Sequence, residues 1–140
     1  MTDASSRDRT YLGHMLAAIG RIRRYVGRKS RTAFLRSALL QDAVIRNIEI
    51  VGEAAGRVST ETTTRTPEIP WREIVGMRHR LIHGYLEVNL DTVWQVVERD
   101  LPALDRNLRA VVEPALPPAV KRTGRERARK TSRGRPRRAA

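Results

Sequence analysis

The sequence predicts an all-α protein: a small antiparallel bundle of four to five helices over residues 1–113, followed by a disordered basic tail over 114–140. Three observations predict it. Apolar residues recur every three or four positions through three long segments, which is the period of an amphipathic helix. No segment alternates apolar and polar residues as a half-buried strand would, and there is neither a glycine-rich phosphate loop nor an internal repeat. Lys and Arg gather at the C-terminus in a stretch with almost no large apolar residue.

The first helix is predicted over residues 8–26, where Leu12, Met15, Leu16, Ile19, Ile22 and Val26 carry the period and Gly27 is placed to stop it. The second, over 38–58, is the longest periodic run. Leu40, Val44, Ile48, Val51, Ala55 and Val58 fall within about 80° of one another at 100° per residue. Asp42, Arg46, Glu49 and Glu53 form an opposite stripe about 60° wide, flanked by Ile45 and Ile50. A helix apolar on most of its circumference belongs at the centre, so its polar stripe must meet water, a partner subunit or a site. Asp42–Arg46 and Arg46–Glu49 also read as ordinary surface pairs within one helix. Glu49 and Glu53, like charges one turn apart, are not fully explained that way.

Residues 59–69 read as a threonine-rich break. Pro67 and Pro70 set the start of a third helix near residue 70, with Glu73 in its first turn. It is predicted to run to about residue 83, with Gly84 as a left-handed cap. Asn89 or Asp91 can cap the last helix, whose apolar set is Trp94, Val97, Leu101, Leu104, Leu108 and Val111. Pro102 is expected to kink or restart it, and Pro114, Pro117 and Pro118 end the ordered part.

At 140 residues, 40% apolar and 4% aromatic, one domain with an aliphatic core is expected. Cysteine is absent, which excludes disulfides and thiolate metal sites. The N-terminus has no apolar signal core and no run is long enough to span a membrane, so a soluble, cytoplasmic protein is expected. The net charge of +13 divides unevenly. Residues 119–140 hold ten Lys/Arg and one acid, a net +9, leaving +4 for the rest. Such a tail cannot bury enough surface to order itself, and its natural partners are polyanions. The bland alternative is a solubilising extension.

The densest chemistry lies in Arg78-His79-Arg80-Leu81-Ile82-His83-Gly84-Tyr85, which puts a fixed cation, an imidazole and a phenol at one helix end. On a continuous helix Arg78 and His83 point about 140° apart, and they converge only if the helix loosens at its end. Metal-independent RNA cleavage fits these groups. The ribose 2′-OH supplies the nucleophile, histidine can act as general base or acid near neutral pH, and the arginine fork suits a phosphorane. One histidine does not easily serve as base and acid in one turnover, and a two-fold dimer would supply a second. Taken alone, arginine and histidine at this spacing are more often a surface cation and a cap. His14 and His79 are expected to be structural or surface residues. No metal site and no cofactor are expected, since three histidines without a ligand cluster do not make one.

The segment from Pro70-Trp71-Arg72-Glu73 through Met77-Arg78 to His83-Gly84-Tyr85 resembles the signature of the HepT toxins, a family within the HEPN ribonucleases. So do Gln41-Asp42-Ala43-Val44-Ile45-Arg46-Asn47-Ile48-Glu49 with the residues through Ala55, Val93-Trp94, and Asp100-Leu101-Pro102. The resemblance covers roughly residues 8–112. It implies a HEPN-like homodimer with its site in a cleft at or near the subunit interface. It implies a metal-independent endoribonuclease, the toxin of a toxin–antitoxin pair whose partner is an MNT-type nucleotidyltransferase antitoxin that can transfer AMP to the motif tyrosine. Carried over, Arg78 and His83 are catalytic and Tyr85 is the AMPylation site. Arg46, Glu49 and Glu53 are candidates for lining the cleft. The departure is His79, where the family commonly has asparagine, which puts a supporting role at that position in doubt. The alternative reading is a non-catalytic helical module that binds nucleotide or RNA, or docks a protein.

Overall fold

The computed structural model describes residues 2–83 and 87–113, the side chains of 2–5 and 83 excepted. Helix α1 (Thr2–Val26) is the central element and α3 (Ala38–Arg57) packs along it. They run antiparallel: Asp8, early in α1, meets Ser59 just beyond the end of α3, and Arg21, late in α1, donates from Nε to Asn47 Oδ1 at 2.7 Å in the middle of α3. The last helix lies antiparallel on another side of α1, with Arg9 donating to the Val112 carbonyl at 3.1 Å and Arg23 paired with Asp105 at 3.4 Å. Between these three helices lies the core, built from Leu12, Met15, Ile19, Ile22, Val44, Ile48, Val51, Leu101, Leu104 and Leu108. The short α2 (Arg31–Leu35) closes one end, setting Phe34 against Trp94 with ring centroids 5.4 Å apart.

Local chemistry fixes the helix ends. Gly27 adopts φ 52°, the left-handed conformation that a non-glycine residue rarely takes, and stops α1 as predicted. Ser30, Ser37 and Ser59 each accept a hydrogen bond from the backbone N–H three residues on, capping α2, α3 and α4 (Thr60–Arg65). Asn89 caps α7 (Leu90–Gln95) in the same way, accepting from Thr92 at 3.1 Å.

The all-α bundle stands, but it holds more helices than four to five: α1 to α8 among the described residues, several only five or six residues long. The threonine-rich break contains α4. Its cap, Ser59, is also held by the buried Asp8 carboxylate, which accepts from the Ser59 N–H at 3.0 Å, the Ser59 hydroxyl at 2.6 Å and the Thr62 hydroxyl. Burial of Asp8 opposes its ionisation, yet these hydrogen bonds and nearby Arg65 outweigh it and hold its pKa below the ordinary carboxylate value.

The single helix expected over 70–83 is two helices, α5 (Trp71–Val75) and α6 (Met77–Leu81), joined at Gly76. After Leu81 the chain extends into β1 (Ile82–His83), paired antiparallel with β2 (Glu87–Val88). The Leu81 carbonyl accepts from the Asn89 N–H at 2.8 Å, so the pairing satisfies a group that a further helical turn would have used. A two-residue strand carries no readable alternation, so none was expected. Gly84, the predicted cap, lies outside the described residues, as do Tyr85 and the tail over 114–140. Ahead of Pro102, residues Val96–Asp100 form a π-helical turn between α7 and α8 (Leu101–Val112). Proline has no N–H to donate and its ring crowds the carbonyl four residues back, which accounts for the widened turn. Among the described residues no helix is long and apolar enough to cross a membrane.

Candidate functional site

The polar side of α3 faces outward, as its stripe required, and floors an open cleft of about 860 Å³. Arg46, Glu49, Glu53 and Arg57 line it from α3, Arg78 from α6, Val75 from α5, and Tyr11 and His14 from α1. The two walls flank α3. On one side α1 packs against Asn47; on the other α5 and α6 cross near Gly52.

Gly52 sets the second wall. A Cβ built there would stand 3.2 Å from the Ile74 carbonyl oxygen, closer than ordinary van der Waals contact. Glycine thus lets the backbone of α5 approach α3, and α6 follows directly. That approach brings Arg78 to Glu49, with Nε 3.3 Å from Oε2. The Arg78 side chain is 69% exposed and that of Glu49 27%. An exposed pair of this kind adds at most about 1 kcal/mol of stability, so its consequence is orientation. The contact uses Nε, and among the described residues the terminal guanidinium nitrogens make no hydrogen bond. A two-pronged donor therefore remains for an anion in the cleft.

The pairs expected within α3 are not formed. Among the described residues neither Asp42–Arg46 nor Arg46–Glu49 is an ion pair, and Glu49 meets Arg78 of another helix instead. The cleft gathers Arg46, Glu49, Glu53 and Arg78, and it also gathers His14, which the sequence reading left outside the site. His14 stands apart from the buried Leu12 and Met15, and its ring meets Tyr11 edge-on at 6.0 Å. The available signal was the antiparallel packing of two long helices, which sets residues near 14 against those near 53. Among the described residues no three His, Asp or Glu side chains cluster as metal ligands would.

Because α6 ends at Leu81, Arg78 and His83 are not on one helix, and the 140° divergence of a continuous helix does not apply. His83 is placed as backbone opposite Glu87, and residues 84–86 connect the two strands. His79 is exposed in α6.

The sequence profile described as Ribonuclease HepT-like matches residues 15–111. The chain belongs to this family. Relatives agree with the assignment. It is 38% identical over 94 residues to the "Probable ribonuclease HepT" of Thermococcus cleftensis, covering 67% of this chain and 86% of that protein. It is 31% identical over 105 residues to a "Putative RNase" of Caldanaerobacter subterraneus, covering 75% of this chain and 94% of that one. A Methanocaldococcus jannaschii protein named "Gamma-glutamylcyclotransferase and putative RNase" is 41% identical over 103 residues, 74% of this chain but 46% of its own length. No solved structure matches the chain significantly. Ribonuclease activity, with RNA as substrate, is thus supported for this HepT-like chain at the level of the family.

Proposed function

We propose that this HepT-like chain is a metal-independent endoribonuclease, the toxin of a toxin–antitoxin pair, acting at the cleft that holds Arg78. The observation that carries the reading is the Arg78–Glu49 pair: an arginine held through one nitrogen, its remaining donors without a hydrogen bond among the described residues, on the wall of a cleft of about 860 Å³. His83 follows that arginine by five residues, past the end of α6 and in the extended β1. In the reaction the ribose 2′ oxygen attacks the adjacent phosphorus. The Arg78 fork stabilises the charge that grows on the phosphoryl oxygens, and His83 takes part in proton transfer. Arg46 and Glu53 shape the approach of the strand. The working form is a homodimer.

Regulation follows from Tyr85, two residues beyond His83. An MNT-type nucleotidyltransferase antitoxin joins AMP to its hydroxyl, placing negative charge and bulk where substrate phosphate would sit. The purified chain should cleave RNA in EDTA and leave 2′,3′-cyclic phosphate ends. Dependence on added divalent metal would defeat the reading. Co-expression with the antitoxin should raise the intact mass in AMP steps, and Tyr85→Phe should abolish that rise. A rise that persists in Tyr85→Phe would move the modification elsewhere.

A further inference from the structure

We propose that His14 is a second catalytic histidine of the cleft, the group that protonates the departing 5′ oxygen. The proposal rests on the ribonuclease reading above and completes its proton inventory. Displacement at phosphorus needs a proton taken from the 2′-OH on one side and a proton given to the 5′ oxygen on the other. His14 and Arg78 line one cleft from different helices, α1 and α6, on opposite flanks of α3. His14 is exposed, and among the described residues it makes no hydrogen bond. Its placement is set by α1, a helix anchored on both sides, and by the edge-on contact with Tyr11.

The other charged groups lining the cleft are Arg46, Glu49, Glu53, Arg57 and Arg78. Guanidinium groups give up no proton, and ionised carboxylates carry none to give; an imidazole can do both near neutral pH. In the step, the 2′ oxygen bonds to phosphorus as a base removes its proton. The bond from phosphorus to the 5′ oxygen breaks, and that oxygen leaves with the proton of the His14 imidazolium. The products are a 2′,3′-cyclic phosphate and a 5′-hydroxyl, and exchange with water resets both proton carriers.

The test uses the full chain and two RNA oligomers, one ordinary and one with sulfur replacing the 5′ bridging oxygen at the cleavage site. A thiolate leaves without being protonated. His14→Ala should cleave ordinary RNA slower by roughly 10²-fold or more, a typical loss for a general acid, yet cleave the sulfur-bridged RNA within a few-fold of wild type. His14→Gln, which keeps polarity but carries no proton, should behave as the alanine variant does. Equal cleavage of ordinary RNA by wild type and His14→Ala, or equal impairment on both oligomers with an unchanged melting curve, would overturn the proposal. So would full activity of His14→Gln on ordinary RNA. Failure of the wild type to cleave ordinary RNA would instead overturn the ribonuclease reading, and this proposal with it.

Discussion

Arg78 meets Glu49 through Nε, and among the described residues its terminal guanidinium nitrogens make no hydrogen bond, which in the proposed site leaves the fork to the cleft. The account therefore separates charge from shape at this position. Arg78→Lys keeps the charge and loses the planar pair of donors, and single-turnover cleavage should fall by roughly 10- to 100-fold. Glu49→Gln leaves the arginine in place but removes the charge that orients it, and the expected fall is about 10-fold. Thermal melts should separate these effects from folding, because an exposed pair contributes at most about 1 kcal/mol. A large stability loss in Glu49→Gln would assign the pair to the fold rather than to the site. The proposed motif was picked out by residue type and order alone. Its geometry was not legible, because it depends on where α6 stops, and Leu81 stops it by giving its carbonyl to Asn89, eight residues on.

Among the elements, α5 and α6 place Arg78, and Gly52 of α3 places them. Alanine at Gly52 gains about 1 kcal/mol of helix propensity but sets a methyl against the Ile74 carbonyl, an overpacking that costs about 1–3 kcal/mol. The net change in stability should be small, whereas cleavage should fall about 10-fold as the wall moves outward. Gly56→Ala is the control: its Cβ meets only the Val75 side chain, at 3.9 Å, so stability should rise slightly with cleavage unchanged. Asp8 ties α1 to the cap of α4, and Asp8→Asn should lose about 1–3 kcal/mol near neutral pH. The folded-state pKa of Asp8 lies below its ordinary value, so its ionisation contributes stability that is full above that value. That contribution disappears as pH falls through the folded-state pKa. Urea midpoints of wild type and Asp8→Asn should therefore converge as the solution is acidified, and a constant gap would contradict the linkage. The long helices could be read because apolar periodicity extends over many turns. The helix α4, the break at Gly76 and the two-residue ladder could not, because each is shorter than the window in which a period shows and is fixed by distant partners.

At the scale of the whole molecule, charge is divided between the helical bundle and residues 119–140, which carry a net +9. Removing residues 114–140 should weaken RNA binding and flatten its dependence on salt, while the cleavage position and the melting temperature of the remainder stay the same. An unchanged salt slope would place RNA attraction in the bundle instead. The three long helices and their core were legible in the pattern of Leu, Ile and Val. The cleft was legible only in part: the polar stripe of α3 announced a surface that meets something, but His14 enters from another helix, and no local pattern pairs it with Glu53. The central claim is that Arg78 and His83 together perform metal-free cleavage. Single-turnover cleavage of one RNA in EDTA by wild type, Arg78→Ala and His83→Ala, each with a matching melting curve, tests it most directly. The account predicts cyclic-phosphate products from the wild type and essentially none from either variant; cleavage by His83→Ala at the wild-type rate would contradict it.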